Sequence, residues 1–577
     1  MSARNEQISY RGRRLLMLGV LAAAALLLVW RAVDLQVVRK DFLQGQGDAR
    51  YLRVVSEPAH RGMITDRHGE PLAISTPVDS VWANPPALIQ ARDAWPRLAK
   101  VLDIKRNELE RLLAAKQDKE FVYLKRRVTP DMARRVMALE IPGVALEPEY
   151  KRFYPAGEVT AHVVGFTNVD DEGQEGMELM YNDRLRSVAG AKRVIKDRLG
   201  RIVENVERVA EPRPGDNVAL SIDRRIQYLA YRELKAAVQK HRADAGSAVI
   251  LDAHSGEVLA MVNQPAYNPN NRERLKSSHL RNRAVTDVFE PGSTIKPFTV
   301  AAALESGRFK PRTMLDTHPG SFRVGRKLIR DFRDYGVIDV STVIRVSSNI
   351  GASKLALAIS PEHLWQTFAG VGFGELTGSR FPGESEGLLT DFGAWREIER
   401  ATVSYGYGLS VTTLQLARAY AALATDGRPL PVSFLRREVD ELKDWEAMYP
   451  PVASAKNLRA VRGMLETVVA KGGTGRRAAV SGYRIAGKTG TVKKASAGGY
   501  LEDSYLSLFA GMAPASDPRL VMVVVVNEPR GEEYYGGAVA APVFANVMAG
   551  ALRMLDVPPD NLDALPGQRV ALLEGDR

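Results

Sequence analysis

Residues 290–298 read Glu290-Pro291-Gly292-Ser293-Thr294-Ile295-Lys296-Pro297-Phe298, and apolar residues continue from Val300 to Leu304 ahead of Gly307. Proline lacks an N–H, so Pro297 is tolerated in the first turn of a helix and costs about 3 kcal/mol deeper inside. Ser293 is therefore predicted at a helix start, with a core helix after it that stops at Gly307. Free backbone N–H groups and the positive end of the helix dipole favour negative charge there, as an attacking alkoxide or an oxyanion requires. Lys296 projects from the same face about one turn on, within reach of the Ser293 hydroxyl. Only a neutral amine can take that proton, and burial or a neighbouring cation lowers a lysine pKa.

Two more strings downstream supply what this pair lacks. Ser347-Ser348-Asn349 lies within Val340 to Leu355, a stretch with helix-capping chemistry. Alone it reads as a cap or turn. In company with Ser293, Ser347 is a candidate to relay a proton toward a leaving amine, and Asn349 a candidate to hold a substrate amide. Lys488-Thr489-Gly490-Thr491 adds a second cation, Lys488, which would lower the pKa of Lys296. Each string occurs once, and together they form a histidine-free acyl-transfer inventory.

The third string also completes a phosphate-loop pattern, Gly482 to Thr489. Such a loop requires a helix directly after its threonine. Here Gly490, Thr491 and Val492 follow, then Lys493-Lys494 and the glycine-rich 497–499, so a strand is predicted instead. Alternation sends Lys488 and Gly490 to one face, Thr489 and Thr491 to the other. At a sheet edge such a strand can pair with an extended peptide. The Thr491 N–H then joins that of Ser293 as a second oxyanion donor, and Lys488 with the Thr489 and Thr491 hydroxyls receives a substrate carboxylate.

The chain's 577 residues are too many for one compact core, and 45% hydrophobic content suffices for several. The formal charge of +12 is spread along the chain, which disfavours nucleic acid and suits a surface facing anionic lipid and cell-wall polymer. Zero cysteine excludes disulfides, thiolate metal sites and cysteine nucleophiles.

Leu15 to Trp30 is an uncharged run preceded by Arg11, Arg13 and Arg14. It is slightly short for a bilayer core of about 30 Å, and extension to Val33 closes the gap. The alanines Ala22 to Ala25 lie in mid-run, which argues for an uncleaved anchor over a cleaved signal peptide. Arg4, Arg11, Arg13 and Arg14 against Glu6 place the N-terminus in the cytoplasm and the remainder outside.

The predicted organisation is a cytoplasmic tail at 1–14, an anchor at 15–33, a mixed non-catalytic module at 34–217, a catalytic domain at 218–556 and a disordered tail at 557–577. The turn-rich Glu211 to Asp216 marks the break between the two modules. Beyond it, Val218 to Ile222 is predicted as a strand, Asp223 as the cap of a helix to about Lys240, and Ala248–Leu251 with Val258–Val262 as a hairpin. Leu520 to Val526 reads as a central strand buried on both faces, paired with Leu506 to Met512. In the N-terminal module, Arg61, Asp66, Arg67 and Glu178 are read as one ion-pair network without chemistry.

These motifs, with the anchor and the segments His60 to Gly69 and Gly173 to Leu179, resemble class B penicillin-binding proteins of the cell-division type. The resemblance implies a mixed α/β (α+β) multidomain chain: a membrane helix, a pedestal module, and a serine β-lactamase-like transpeptidase domain with a central antiparallel sheet flanked by helices. It implies D,D-transpeptidation of peptidoglycan stem peptides from a lipid-linked precursor in the septum, with Ser293 acylated by D-Ala-D-Ala or by β-lactams. The implied catalytic set is Ser293, Lys296, Ser347, Asn349 and Lys488, with no metal and no cofactor. Substrate contacts fall to Thr489, Gly490 and Thr491, to Tyr405 and Tyr407 in a glycine turn, and to Tyr534 and Tyr535 in a mobile loop spanning Glu528 to Gly537. Implied partners are a division glycosyltransferase of the FtsW type and other divisome proteins at the bacterial inner membrane, with the catalytic domain periplasmic. The competing readings are a serine β-lactamase and a catalytically silent scaffold or β-lactam sensor.

Overall fold

The computed structural model describes residues 11–41, 52–196, 202–273, 275–438, 443, 448–496 and 499–562. Arg4, Glu6 and residues 563–577, which enter the expected topology and tail, lie outside them. Helix α1 (Arg11–Val33) and the π-turn after it make a 28-residue helical stretch, apolar and long enough to cross a membrane. Its four-alanine centre and leucine-rich flanks are strong helix formers, and no side chain in α1 is buried within the protein.

Two compact units divide the chain. The first comprises residues 1–60, 76–151 and 187–214. Its sheet joins β1 (Leu52–Glu57), β2 (Gly190–Lys196) and β3 (Ile202–Ala210), antiparallel with β2 in the middle. A separate core packs Trp95, Leu98, Leu102, Leu109 and Leu113 against Val81, Val122 and Val136. Residues 130–137 of this unit are helical, because Thr129 caps the first turn and Pro130 occupies it.

The second unit comprises 61–75, 152–186 and 215–577. Ile64, Leu72, Tyr154 and Val163 share one core with the helices around Ser293. The central sheet runs in the order β5 (Val258–Gln264), β4 (Ala245–Asp252), β8 (Leu520–Asn527), β7 (Gly499–Ala513), β6 (Ala486–Ser496), antiparallel throughout. The uninterrupted apolar run of β8 reflects cover on both faces. Leu520, Met522, Val524 and Val526 pack with helix α2 (Arg224–Lys240) and helix α7 (Gly536–Met554). Val521, Val523 and Val525 pack on the other side with α3 (Lys296–Glu305) and α6 (Thr413–Ala424). Asp223 caps α2 through the N–H groups of Arg225 and Ile226. The strand expected at Val218 to Ile222 extends only over Val218–Ala219, because the backbone then changes partner: Leu220 bridges Leu435, and Ser221 N–H donates to Phe434 O at 2.8 Å.

Two further expectations are corrected. The predicted four-residue ion-pair network is two separate arrangements. Glu178, fully buried, bridges Arg61 Nε at 2.7 Å and Arg152 Nε at 2.6 Å. Arg67 pairs instead with Glu257, and Asp66 accepts the backbone N–H groups of His68, Glu70 and Arg224. Residues 557–562, expected in the tail, are tied down: Tyr483 donates to the Val557 carbonyl at 2.6 Å, and Asp560 accepts from Arg484 N and Ser516.

Candidate active site

Ser293 lies on a 3₁₀ turn, Gly292–Ile295, that leads directly into α3, whose first turn holds Pro297. The turn is pinned from three sides. Gly292 N–H donates to Gly406 O at 3.1 Å, Thr294 Oγ1 donates to Pro291 O at 2.6 Å, and the buried Tyr420 hydroxyl donates to Thr294 O at 2.9 Å. Gly406 has φ +92°, and a Cβ there would stand 2.1 Å from Gly292 O. The glycine turn around Tyr405 and Tyr407 thus supports the nucleophile's backbone.

Lys296 is completely buried and its amine has four oxygen neighbours: Ser293 Oγ at 3.0 Å, Ser347 O at 2.6 Å, Ser347 Oγ at 3.1 Å and Asn349 Oδ1 at 2.8 Å. Two of these are carbonyl oxygens, which only accept. The Asn349 amide is oriented by its Nδ2 donating to Arg330 O at 3.1 Å. A neutral Lys296 therefore gives both its hydrogens to Ser347 O and Asn349 Oδ1 and turns its lone pair toward the hydroxyls. Burial, reinforced by the charge of Lys488, holds this amine well below the ordinary lysine range, with Asp331 acting the other way.

Ser347 joins helix α4 (Val340–Val346) to helix α5 (Asn349–Ala358) in a left-handed conformation, φ +63°. Such backbone strain in a non-glycine residue costs on the order of 1–3 kcal/mol and survives where the surroundings enforce it. Lys296 and Lys488 hold Ser347 itself, and Asp331 fixes the three residues that follow it. Its Oδ1 accepts Asn349 N–H at 2.5 Å and Ile350 N–H at 3.1 Å, and its Oδ2 accepts the Ser348 hydroxyl at 2.5 Å. The start of α5 is thereby clamped by one carboxylate, which directly follows the short strand Lys327–Arg330.

Lys488, also completely buried, donates to Ser347 Oγ at 2.9 Å and to Thr489 O at 3.1 Å. Burial lowers it to about 7. Ser347 Oγ thus stands between two amines. The strand β6 that carries Lys488 is the sheet edge, so no helix follows Thr489 and the phosphate-loop pattern has no structural counterpart. Gly490 faces the Ser293 turn, where a Cβ would come 3.0 Å from the Thr294 methyl. On the opposite face, Thr489 Oγ1 is 2.7 Å from Thr474 Oγ1, and Thr491 Oγ1 accepts the Gly536 N–H at 3.0 Å. With its lone pair so engaged, the Thr491 hydroxyl hydrogen is free for an acceptor.

A groove of about 690 Å³ passes over these groups. Ser293, Ser347, Asn349, Thr489 and Thr491 line it, whereas Lys296 and Lys488 lie beneath and are not on its wall. Of the four predicted tyrosines only Tyr535 reaches it. Tyr534 is stacked between Tyr505 and Tyr535, 4.4 Å from each. Tyr405 and Tyr407 meet edge to face at 5.6 Å, and Tyr405 packs in a small core with Val324, Ile329 and Ile350. Sequence reasoning missed Phe332 and Tyr335 on one wall and Thr474, Arg476 and Arg477 on the other. A polar cleft of about 800 Å³ beside Asp426 and Arg459 contains none of the motif residues.

The chain matches the family model for the penicillin binding protein transpeptidase domain over residues 246–549 and that for the penicillin-binding protein dimerisation domain over 56–220. It is 45% identical over 554 residues to the probable peptidoglycan D,D-transpeptidase PbpC of Pseudomonas aeruginosa, covering 96% of this chain and 97% of that one. Against the peptidoglycan D,D-transpeptidase FtsI of Escherichia coli K12 it is 44% identical over 552 residues, 95% of this chain and 92% of the relative. Among solved structures, the transpeptidase domain of Burkholderia pseudomallei penicillin-binding protein 3 is similar at TM-score 0.54 and 44% identity, covering 59% of this chain and 97% of that domain. A peptidoglycan synthetase from Bifidobacterium adolescentis matches at TM-score 0.68 and 25% identity, over 89% of this chain and 99% of that chain. Dimerisation domain, transpeptidase domain and 44–45% identity over at least 95% of the chain coincide, and the chain belongs to the class B penicillin-binding protein transpeptidases.

Proposed function

We propose that this protein is a peptidoglycan D,D-transpeptidase of septal wall synthesis that works through a Ser293 acyl-enzyme. The observation that carries the reading is the Lys296 amine, 3.0 Å from Ser293 Oγ with both hydrogens committed to carbonyl oxygens when neutral. Its lone pair takes the Ser293 proton as Oγ bonds to the carbonyl carbon of the penultimate D-Ala. The displaced π electrons collect on the carbonyl oxygen, for which the N–H groups of Ser293 and Thr491 are the donors. Collapse breaks the C–N bond, and the leaving D-Ala nitrogen receives a proton through Ser347, between Lys296 and Lys488. An amine from a neighbouring stem peptide then attacks the ester, gives up its proton along the same route, and Ser293 leaves with its hydrogen restored. Asn349, Thr489, Gly490, Thr491 and Tyr535 border the peptide, while Tyr405, Tyr407 and Tyr534 support the groove from behind. β-Lactams acylate the same hydroxyl.

In this reading α1 is a single-pass anchor with a cytoplasmic N-terminus, 34–217 is the pedestal, and 218–556 is the periplasmic catalytic domain. A septal glycosyltransferase of the FtsW type and other divisome proteins are its partners. Mass spectrometry of the intact protein after incubation with benzylpenicillin tests the chemistry. A stable adduct mapped to Ser293 and absent from Ser293→Ala is the expected result. Sustained hydrolysis of the drug favours a β-lactamase instead, and normal septal cross-linking in cells carrying only Ser293→Ala favours a silent scaffold.

A further inference from the structure

The buried amines leave a charge problem in the groove. A peptide ending in D-Ala and a penicillin each carry a carboxylate beside the bond that breaks. Sequence reasoning gave that carboxylate to Lys488. In the folded protein Lys488 is wholly buried, off the groove wall, and already bonded to Ser347 Oγ and Thr489 O. Lys296 is equally enclosed. Neither amine reaches the groove wall, and two of the three N–H groups of a charged Lys488 are already committed, so burial keeps both lysines away from a carboxylate lying in the groove.

The groove wall has two cations, Arg476 and Arg477, neighbours on the 3₁₀ turn Arg476–Ala478. They are not equivalent. Arg477 is neutralised by Glu533, with Nη contacts of 2.8 and 2.9 Å. Arg476 is exposed, and among the described residues its guanidinium has no carboxylate or carbonyl partner. The turn that carries it is fixed beside the carboxylate-binding edge of β6. Thr474 and Thr489 share a 2.7 Å hydroxyl contact, Ala478 is fully buried, and Gly537 of α7 approaches so closely that a Cβ there would lie 2.2 Å from Thr474 O.

We propose that Arg476 is the substrate-binding cation that receives the terminal carboxylate, together with the hydroxyls of Thr489 and Thr491. The proposal rests on the transpeptidase reading and replaces one of its expected contacts. A guanidinium stays charged at every working pH and offers two parallel N–H donors to a carboxylate. Lys488 is then released for proton traffic at Ser347.

The test compares acylation of the full-length protein and of Arg476→Gln by benzylpenicillin, and by a pair of acyl-D-Ala thioesters ending in a free carboxylate or in an amide. Arg476→Gln slows acylation by the free acids about 10- to 100-fold, the loss expected for one charge-assisted contact, and leaves the amide thioester within about twofold. Arg476→Lys recovers part of the factor. Raising salt from about 0.05 to 0.5 M slows the wild-type reaction and affects Arg476→Gln less, because the screened charge is gone. Free-acid rates within about twofold of wild type, or an unchanged salt dependence in Arg476→Gln, overturn the assignment. Failure of wild-type Ser293 to form any adduct overturns the transpeptidase reading itself, a result separable from either.

Discussion

Asp331 holds Asn349 by its backbone: Oδ1 accepts the Asn349 N–H at 2.5 Å, while the same residue's side chain accepts from the Lys296 amine at 2.8 Å. The carboxylate thereby positions the oxygen that consumes one hydrogen of the proposed base, and its charge raises the pKa of that base. Asp331→Asn is expected to act in two ways. The maximal acylation rate falls, by about tenfold or more, as Asn349 loses its anchor. Base function needs neutral Lys296, so the rate climbs as pH passes upward through its pKa. Without the Asp331 charge that pKa drops, and the acidic limb of the rate profile moves to lower pH. Stopped-flow acylation against pH checks both. An acidic limb moving to higher pH contradicts the electrostatic role.

The two buried lysines also make stability depend on pH. Burial brings Lys488 from 10.5 to about 7, and Lys296 moves in the same direction. Their folded-state values lie below the unfolded ones, so unfolding takes up protons in the interval between. Stability of the protein without ligand accordingly rises as pH is raised from about 7 toward the ordinary lysine range, and is lower on the acidic side. Replacing Lys488 by Met removes one contribution, so the melting temperature of Lys488→Met changes less between pH 7 and 9 than that of wild type, as scanning calorimetry would register. Equal slopes for the two proteins rule out this linkage.

The parts legible in sequence are those set by local chemistry. Pro297 fixed the start of α3, Asp223 announced α2, and the seven apolar residues from Leu520 to Val526 declared a strand covered on both faces, as β8 is. The Ser293 and Lys296 pair follows from helical spacing alone. What escaped is non-local. Asp331 carries no signal of its own, being an ordinary acid after a short strand until the fold brings it to α5. Arg152 was not associated with Glu178, because buried pairing across the chain has no periodicity. The burial of Lys488 was hidden for a related reason: strand alternation gives the face of a side chain and not what covers that face. Tyr405 is inside a core cluster and the half-buried Tyr407 packs against it, since the glycine turn, read as a substrate contact, packs under Ser293.

Glu178 is a carboxylate shared by two buried guanidiniums, those of Arg61 and Arg152, with all three side chains no more than 1% exposed. Removing one partner of such an arrangement strands charge out of water, at a cost of about 3–5 kcal/mol. Glu178→Gln is therefore expected to lower the unfolding midpoint in urea strongly. The fraction that remains folded still acylates at the wild-type rate, since no atom of the network touches the groove. An unfolding free energy within about 0.5 kcal/mol of wild type, the range of ordinary surface changes, contradicts the assigned role.

Gly406 and Gly292 touch backbone to backbone, and this contact sets where the nucleophile stands. Gly406 O accepts Gly292 N–H at 3.1 Å, and the left-handed φ of +92° brings the α-carbon so close that any Cβ overlaps the Gly292 peptide. Gly406→Ala meets both a strained dihedral and a collision with backbone, which cannot rotate away as a side chain would. The 3₁₀ turn must then shift, carrying Ser293 Oγ off the Lys296 lone pair. A displacement of about 1 Å at reacting atoms is enough to cost about a hundredfold in rate. Gly406→Ala is expected to lose penicillin acylation by at least about that factor and, because both glycines are buried, to lower the melting temperature as well. Acylation kinetics alongside thermal melting separate the two effects. A variant that melts early yet acylates normally would mean that Gly406 supports the fold without placing Ser293.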